Sequence, residues 1–209
     1  MDVNNFRAYT TEHGVCDLGE VDPNHEYLTV IKAELCLDGE HTGFDVAGRD
    51  KEPHEKTIGS TTGYRIKRDA MNRAGYHSPD DIFDVADDES QDLTDIFSVL
   101  LDKCFLETVA TGDIIVIDRV VVNERYRGHD FGLKMIQKIL GMHDYSFASL
   151  LVAPTDHLIS SMALAKKKLM LHYARVGFER IKGTSVMVLP KHKFHEQLKP
   201  KMQKVPVIG

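Results

Sequence analysis

The sequence predicts a mixed α/β fold with a central sheet and helices on both of its faces. The chain has 209 residues, which is long enough to bury a large core in one unit. Its C-terminal half alternates short β-branched runs with amphipathic helical segments, a pattern typical of α/β proteins. The run from 114 to 122 is almost continuously apolar, which indicates a central strand covered on both faces. We predict one domain over 1–209, with N-terminal strands in 1–110, an acidic helical insertion at about 78–106, a core in 111–190 and a basic tail in 191–209.

The N-terminal part reads as strands joined by polar turns. The first twenty residues hold few apolar anchors, so we expect them to be irregular or a weak edge element. Residues 26–37 are apolar and β-branched and end at Asp38-Gly39, a good turn pair after a strand. A polar loop follows at 43–55. Residues 57–68 again have β character, and Gly59 and Gly63 within them indicate a bulge or a tight bend.

An acidic segment follows. Ser78, Pro79 and the acids after them are typical of a helix start. Between 80 and 95 there are eight acidic residues and no basic one. Apolar residues then recur at helical spacing, which predicts an amphipathic helix to about residue 105. These positions are Leu93, Ile96, Phe97, Leu100, Leu101 and Cys104. Two interpretations stay open: a solvated helix face, or an anionic wall that attracts a cationic substrate.

Three further elements complete the predicted order. We expect a helix over 128–140 that ends at Gly141, and a buried strand over 147–153 that Pro154 stops. A second helix is predicted over 157–176, with a lysine run at 166–168 that is either a solvated face or a contact to a nucleotide phosphate or an RNA backbone. Residues 178–181 and 184–189 are expected to form a short hairpin.

Composition narrows the class of function. The net charge of −6 disfavours nucleic acid as the main partner. No window approaches 18 apolar residues and the N-terminus lacks a signal-like pattern, so we expect neither a membrane span nor secretion. Cys16, Cys36 and Cys104 are sparse and odd in number, which is typical of reduced thiols in a cytoplasmic protein. The histidines are scattered, so no metal site is predicted.

Residues 117–132 carry the sharpest functional signal. The β-branched run ends at Val122, a short polar turn follows, and Arg127-Gly128 opens a helical pattern. A strand that breaks into a glycine-bearing turn at a helix start leaves backbone N–H groups unpaired, and the helix dipole adds positive potential there. Such a site suits a phosphate, and Arg127 adds a charge-assisted contact to it.

Two motifs in the right order give a resemblance to a known family. The stretch from Arg127 to Gly132 is similar to the phosphate loop Arg/Gln-x-x-Gly-x-Gly/Ala of the GNAT superfamily of acyl-coenzyme A-dependent N-acyltransferases. The stretch from Tyr173 to Phe178 matches that family's Tyr-x-x-x-Gly-Phe. The resemblance covers 114–189 and implies a twisted, mostly antiparallel sheet. Its strands ending at 122 and 153 are expected to splay apart and open a cleft for the cofactor.

The resemblance implies transfer of an acetyl group from acetyl-CoA to a primary amine without a covalent enzyme intermediate. It assigns cofactor binding to Val120, Val121, Val122, Arg127, Gly128, His129, Asp130, Phe131 and Gly132. Tyr173 is implied as the acid that protonates the departing thiolate, the alternative being a tyrosine that only packs on the core. Asp118 is a candidate base, the alternative being a structural ion pair with Arg119.

This chain departs from the family pattern in three places. Asp130 stands where the family has its second glycine, which puts a carboxylate beside the expected diphosphate. Lys166 replaces an Asn near the start of the last helix, and no Glu stands where some members carry their base. These departures keep open a non-catalytic binding protein that uses its acidic surface. An acyltransferase toxin acting on charged transfer RNA is disfavoured by the net acidity. The acceptor and a homodimer are left open, although the acidic segment favours a cationic amine such as a polyamine, an aminoglycoside or lysine.

Overall fold

The computed structural model describes residues 5–11, 26–37, 56–78, 80–87, 90–102, 111–154 and 162–191. These residues form seven strands: β1 (Asn5–Thr11), β2 (Leu28–Leu37), β3 (Lys56–Ile66), β4 (Ile114–Val122), β5 (Phe147–Leu151), β6 (Glu179–Arg180) and β7 (Val186–Pro190). Five α-helices lie between them: α1 (Arg68–Arg73), α2 (Asp81–Asp87), α3 (Gln91–Asp102), α4 (Phe131–Met142) and α5 (Met162–Ala174). No helix among these residues is long and apolar enough to cross a membrane.

The strands form one sheet in the order β1-β2-β3-β4-β5-β7-β6. Every neighbouring pair in this order is antiparallel except β4 and β5, which are parallel. The predicted class is therefore confirmed: a mixed α/β fold whose sheet is mostly antiparallel. The N-terminal segment forms the edge strand β1, and the hairpin of the C-terminal part forms at β6–β7.

Helices cover both faces of the sheet because β4 and β5 are apolar on both sides. On one face, Ile114 and Phe147 pack against buried side chains of α2 and α3 such as Ile82 and Phe97. On the other face, Ile115 packs against α4, and α5 adds half-buried side chains there. The four residues Ile114–Ile117 are consequently all buried, as expected for a central strand.

A β-bulge interrupts the pairing of β3 with β4. Thr62 pairs with Arg119 and Gly63 pairs with Ile117, so Asp118 has no partner in β3. A Cβ on Gly63 would lie 2.5 Å from the carbonyl oxygen of Val116, so the two backbones approach too closely for any other residue. The irregularity predicted from the glycines of this strand is confirmed, and its effect is to re-aim the second half of β4.

The strands β4 and β5 diverge after a short parallel pairing. They pair only from Ile114–Phe147 to Ile117–Leu150, and β4 then continues to Val122 while β5 ends at Leu151. The expected splaying of these two strands is confirmed. It leaves the last five residues of β4 with no strand on their β5 side among the residues that the structure describes.

Some element boundaries differ from prediction. The helix expected to begin at residue 128 begins at Phe131, because Gly128 and Asp130 adopt left-handed backbone angles with φ of +85° and +59°. The acidic segment forms two helices rather than one, and α3 starts after Ser90, whose hydroxyl accepts a hydrogen bond from the amide of Leu93 at 3.4 Å. The short helix α1 was not predicted. The Asp38-Gly39 turn, the 43–55 loop, Cys16, Cys104 and the tail beyond 191 lie outside the described residues.

Candidate functional site

A cavity of about 500 Å³ lies where β4 has left β5, between the second half of β4, the start of α4 and one face of α5. Its walls include much of the predicted cofactor site together with the predicted acid. The lining residues are Val120, Val121, Val122, Tyr126, Arg127, Gly128, Asp130, Phe131, Gly132, Pro154, Ala165, Lys168, Leu169, His172 and Tyr173.

The turn before α4 presents a row of backbone amides to this cavity. Gly128 and Asp130 are left-handed, and α4 starts directly afterwards. Within the part of the chain that the structure describes, no group accepts a hydrogen bond from the amides of 128–132, and the Asp130 side chain does not cap the helix. These donors lie at the positive end of the dipole of a 12-residue helix, which is the arrangement that binds anions.

Local hydrogen bonds connect β4 to this turn. Asn123 caps a single turn of 3-10 helix (Glu124–Tyr126), and its side chain accepts from the amide of Arg125 at 3.2 Å. Arg127 follows, and its Nε donates to the carbonyl oxygen of Val122 at 3.3 Å. The guanidinium of Arg127 is therefore held at the mouth of the cavity, next to the open amides.

Close packing fixes the first turn of α4 on β4. A Cβ on Gly132 would lie 3.1 Å from Cγ1 of Val120, so a glycine lets the helix approach the strand. Phe131 is buried in a small cluster with Leu35 and Ile58, with Val122 packed against it. The amide row and the strand edge are thus parts of one packed unit.

Asp130, the departure from the family pattern, is paired with an arginine. Arg175 Nη1 and Nη2 each donate to one carboxylate oxygen of Asp130 at 2.6 Å, a two-point ion pair. The hydrogen bonds from Arg175 hold the pKa of Asp130 below its ordinary value. The carboxylate beside the amide row is therefore charged and already neutralised by a cation.

Two residues of the predicted cofactor site, His129 and Val121, have exposed side chains. The His129 side chain is exposed and stacks on the Phe131 ring, with centroids 5.6 Å apart, so it is outside the cavity lining. Its amide belongs to the open row described above. Val121 is on the exposed face of β4, whereas Val120 and Val122 pack toward α4.

Tyr173 projects from α5 into the cavity and packs against the α4 face of the sheet. Its burial raises the pKa of the hydroxyl, so the group is fully protonated at neutral pH. His172 lies beside it, with ring centroids 5.9 Å apart, and burial lowers the pKa of His172. Tyr173 therefore offers a protonated phenol to the cavity, and His172 offers an imidazole whose pKa is lowered.

Asp118 is two residues before the cavity lining, at the bulge of β4. Ile117 and Val120 both pack toward α4, so the bulge turns Asp118 toward the opposite face, where α3 lies. Its carboxylate accepts a hydrogen bond from the hydroxyl of Thr62 at 3.3 Å. Partial burial, and after it the charge of Asp92 at the start of α3, raise the pKa of Asp118.

The ion pair considered for Asp118 is not formed. None of the ion pairs within 4 Å between described side chains joins Asp118 to Arg119. Arg119 is exposed, and its charge has only a minor lowering effect on the pKa of Asp118. The polar partner of Asp118 is Thr62 of the neighbouring strand.

Several lining residues were missed by the sequence reading. Ala165, Leu169 and His172 lie on the α5 face that carries Tyr173, next to Lys168 of the lysine run that the sequence offered as a phosphate contact. The signal was present for Ala165 and Leu169, because positions four and eight residues before Tyr173 on a helix share its face. Arg175, which reaches the site by pairing with Asp130, had no comparable signal, since tertiary packing alone brings it there.

The sequence and the structure of this chain were compared with known proteins. The sequence matches no protein-family model and no curated protein. Among solved structures, Arabidopsis thaliana NAA60 in complex with acetyl-CoA is 13% identical with a TM-score of 0.39, covering 78% of this chain and 76% of that one. A mosquito arylalkylamine N-acetyltransferase like 5b is 18% identical with a TM-score of 0.37, covering 77% and 74%. The KacTA–DNA complex is 7% identical with a TM-score of 0.43, covering 92% and 97%. Because these TM-scores lie below 0.5, we argue the function of this chain from its own cavity.

Proposed function

We propose that this chain is an acyl-CoA-dependent N-acyltransferase that transfers an acetyl group from acetyl-CoA to a primary amine. The observation that carries the proposal is the open row of amides at 128–132 beside a cavity that runs along the free side of β4. One end of this cavity suits an anion, and its long wall suits a peptide-like chain. Coenzyme A has both parts, a diphosphate and a pantetheine arm.

The residues that line the cavity fit the acetyl-CoA donor. Amides of 128–132 and the guanidinium of Arg127 would hold the diphosphate. Backbone groups of Val120–Val122, which have no β5 partner, would pair with the amides of the pantetheine arm. One such backbone N–H aimed at the thioester oxygen typically contributes about 3 kcal/mol of transition-state stabilisation.

The proposed reaction needs one proton acceptor and one proton donor. An acceptor that enters as an ammonium first releases one proton to solvent. The neutral amine nitrogen bonds to the thioester carbon, one further proton passes from it to Asp118 directly or through water, and the carbon–sulfur bond breaks. The Tyr173 hydroxyl gives its proton to the departing sulfur, and exchange with solvent restores both side chains. The raised pKa values of both groups are consistent with these roles, because an ordinary Asp would be a weaker base at neutral pH.

We further propose a cationic amine as the acceptor. Asp118 is turned to the face of the sheet where the acidic helix α3 lies, opposite the α4 side that would hold the diphosphate. Asp92 is close enough to raise the pKa of Asp118, so both carboxylates act on the same region. A protonated amine entering there would be attracted before it is deprotonated.

Calorimetric titration of acetyl-CoA into the wild type and into Arg127→Glu tests the donor site. We expect micromolar to submillimolar affinity for the wild type and a loss of about tenfold or more for the variant, because a cation beside the diphosphate becomes an anion. Tyr76→Phe, an exposed residue outside the cavity, is the control. A wild type that binds no acetyl-CoA at millimolar concentration supports the non-catalytic binding protein instead.

Acceptor identity is tested by release of free thiol from acetyl-CoA in the presence of a panel of amines. Polyamines, aminoglycosides and lysine, which each carry more than one amino group, are the strongly cationic arm, and singly charged arylalkylamines are the other. We expect turnover to be higher with the cationic arm. If the protein binds acetyl-CoA but turns over none of the amines, it is a coenzyme A-binding protein, and the proposed transferase activity is contradicted.

A further inference from the structure

The Asp130–Arg175 ion pair connects the two elements that flank the cofactor cavity. Asp130 directly precedes α4, and Arg175 lies in the turn that follows α5. Both hydrogen bonds of the pair are 2.6 Å long, which is the geometry of a two-point contact between a guanidinium and a carboxylate. The pair therefore ties the phosphate-binding turn to the helix that carries Tyr173.

The backbone at Asp130 explains why its carboxylate is available for this contact. An aspartate that caps a helix usually has an extended backbone and accepts a hydrogen bond from the first turn. Asp130 instead has φ of +59° and ψ of +20° and makes no capping hydrogen bond. Its side chain is directed to Arg175, and the amides of the first turn stay open.

The charges of Asp130 and Arg175 affect how well an anionic ligand can bind beside them. An unpaired carboxylate in the cavity wall would repel a diphosphate held by the neighbouring amides. The titratable groups that act on Asp130 are Arg175, His172 and Lys134, and Arg175 alone is hydrogen-bonded to it. With Asp130 and Arg175 cancelling each other, the cavity-lining cations Arg127 and Lys168 and the end of α4 contribute a positive local potential.

We infer that Arg175 is a positioning residue that supplies the counter-charge for Asp130, so that a phosphate-binding turn with an acid in place of glycine still accepts a diphosphate. The inference rests on the proposed function. Arg175 does not line the cavity, so it acts through Asp130 rather than by touching the ligand.

A charge cycle measured by calorimetry with coenzyme A tests the inference. Arg175→Gln leaves the Asp130 carboxylate uncompensated, so the dissociation constant should rise about tenfold at low salt and less at 0.5 M salt, where screening is stronger. Asp130→Asn keeps a residue that tolerates left-handed angles and should bind as well as the wild type or better. The double variant Asp130→Asn/Arg175→Gln should return to within about twofold of the wild type, because no charge then needs compensation.

Each alternative gives a different pattern. If the pair is only a structural tie, Asp130→Asn weakens binding as much as Arg175→Gln, and the inference is overturned. If Arg175 contacts the 3′-phosphate, the loss in Arg175→Gln disappears with 3′-dephospho-coenzyme A, and the inference is again overturned. A loss of equal size with both ligands supports it.

The test also separates this inference from the proposed function. A wild type that does not bind coenzyme A overturns both, whereas a wild type that binds together with an unaffected Arg175→Gln overturns the inference alone. If Arg175→Gln is unfolded by circular dichroism, Arg175→Lys replaces it, since lysine keeps the charge without the two-point geometry. Near wild-type affinity in Arg175→Lys supports the counter-charge role, and a tenfold loss overturns it.

Discussion

The hydroxyl of Thr62 in β3 donates a hydrogen bond to the carboxylate of Asp118 in β4, at the bulge that interrupts the pairing of these two strands. This contact stabilises the charged form of Asp118, and it opposes burial and the charge of Asp92, which both favour the neutral form. The proton affinity of Asp118 is therefore set by burial and by two identifiable neighbours, Thr62 and Asp92. Each of them can be altered without touching Asp118 itself.

We predict that Asp92→Asn moves the acidic limb of the kcat/KM profile to lower pH. The base is active when it is deprotonated, so activity falls as the pH drops through its pKa. Removal of a like charge lowers that pKa, and the limb moves with it. Asp95→Asn on the same helix is the matched control, and an equal shift in both variants would show that the change comes from net charge.

The opposite shift is expected for Thr62→Val. The substitution keeps the shape of the side chain and removes the hydrogen bond that lowers the pKa of Asp118. The acidic limb should therefore move to higher pH, as measured in the same assay. If the profiles of Asp92→Asn and Thr62→Val both coincide with that of the wild type, Asp118 is not the base.

Tyr173→Phe should lower kcat about a hundredfold and leave the affinity for acetyl-CoA within about twofold of the wild type. The ring keeps its packing against the core, and only the proton donor is lost. Steady-state kinetics and calorimetry measure the two quantities separately. An unchanged kcat would mean that the thiolate leaves unaided or that another group, such as His172, protonates it.

Gly63→Ala should destabilise the protein by about 2 kcal/mol or more, because its Cβ would lie 2.5 Å from a backbone oxygen of β4. Gly141→Ala in α4 is the matched control, since its Cβ meets nothing within 4 Å. Because Gly141 lies in the last turn of α4, an alanine there should stabilise by at most about 1 kcal/mol. Urea denaturation measures both, and equal stability of the two variants would contradict the close approach at the bulge.

Gly132→Ala should weaken coenzyme A binding about three- to tenfold, because a Cβ 3.1 Å from Val120 pushes the first turn of α4, with its amides, away from β4. Val120→Ala removes the opposing atom and should restore most of the affinity in the double variant. Calorimetry on the two single variants and the pair measures this coupling. If the losses of affinity in the two single variants simply add in the double variant, the contact between residues 120 and 132 is not the cause.

Local sequence patterns anticipated the scaffold better than the contacts of the site. The β-branched run of β4 and the amphipathic pattern of α3 follow from side-chain periodicity, which a sequence displays directly. The left-handed backbone at Asp130 was also foreseeable, since aspartate tolerates it. The partnership with Arg175 was not, because the two residues are 45 positions apart and only the packing of α4 and α5 joins them.

The orientation of the Asp118 side chain could likewise not be predicted from the sequence. Simple alternation along β4 would put every second side chain on one face, but the bulge makes Ile117 and Val120 point the same way. The glycines of β3 indicated that an irregularity was present without indicating which residue of the partner strand would be displaced. That choice depends on the register between strands, which is a property of the assembled sheet.

The early end of the β4–β5 pairing exposes a strand edge in the ligand-free protein. Among the described residues, no strand pairs with the last five residues of β4 on their β5 side, which amounts to an edge strand located in the middle of a sheet. A ligand with amide bonds would cover it, but so would an extended segment of any other chain. Purification and storage with coenzyme A should therefore suppress self-association, and the ligand-free protein should be the form that precipitates first on warming.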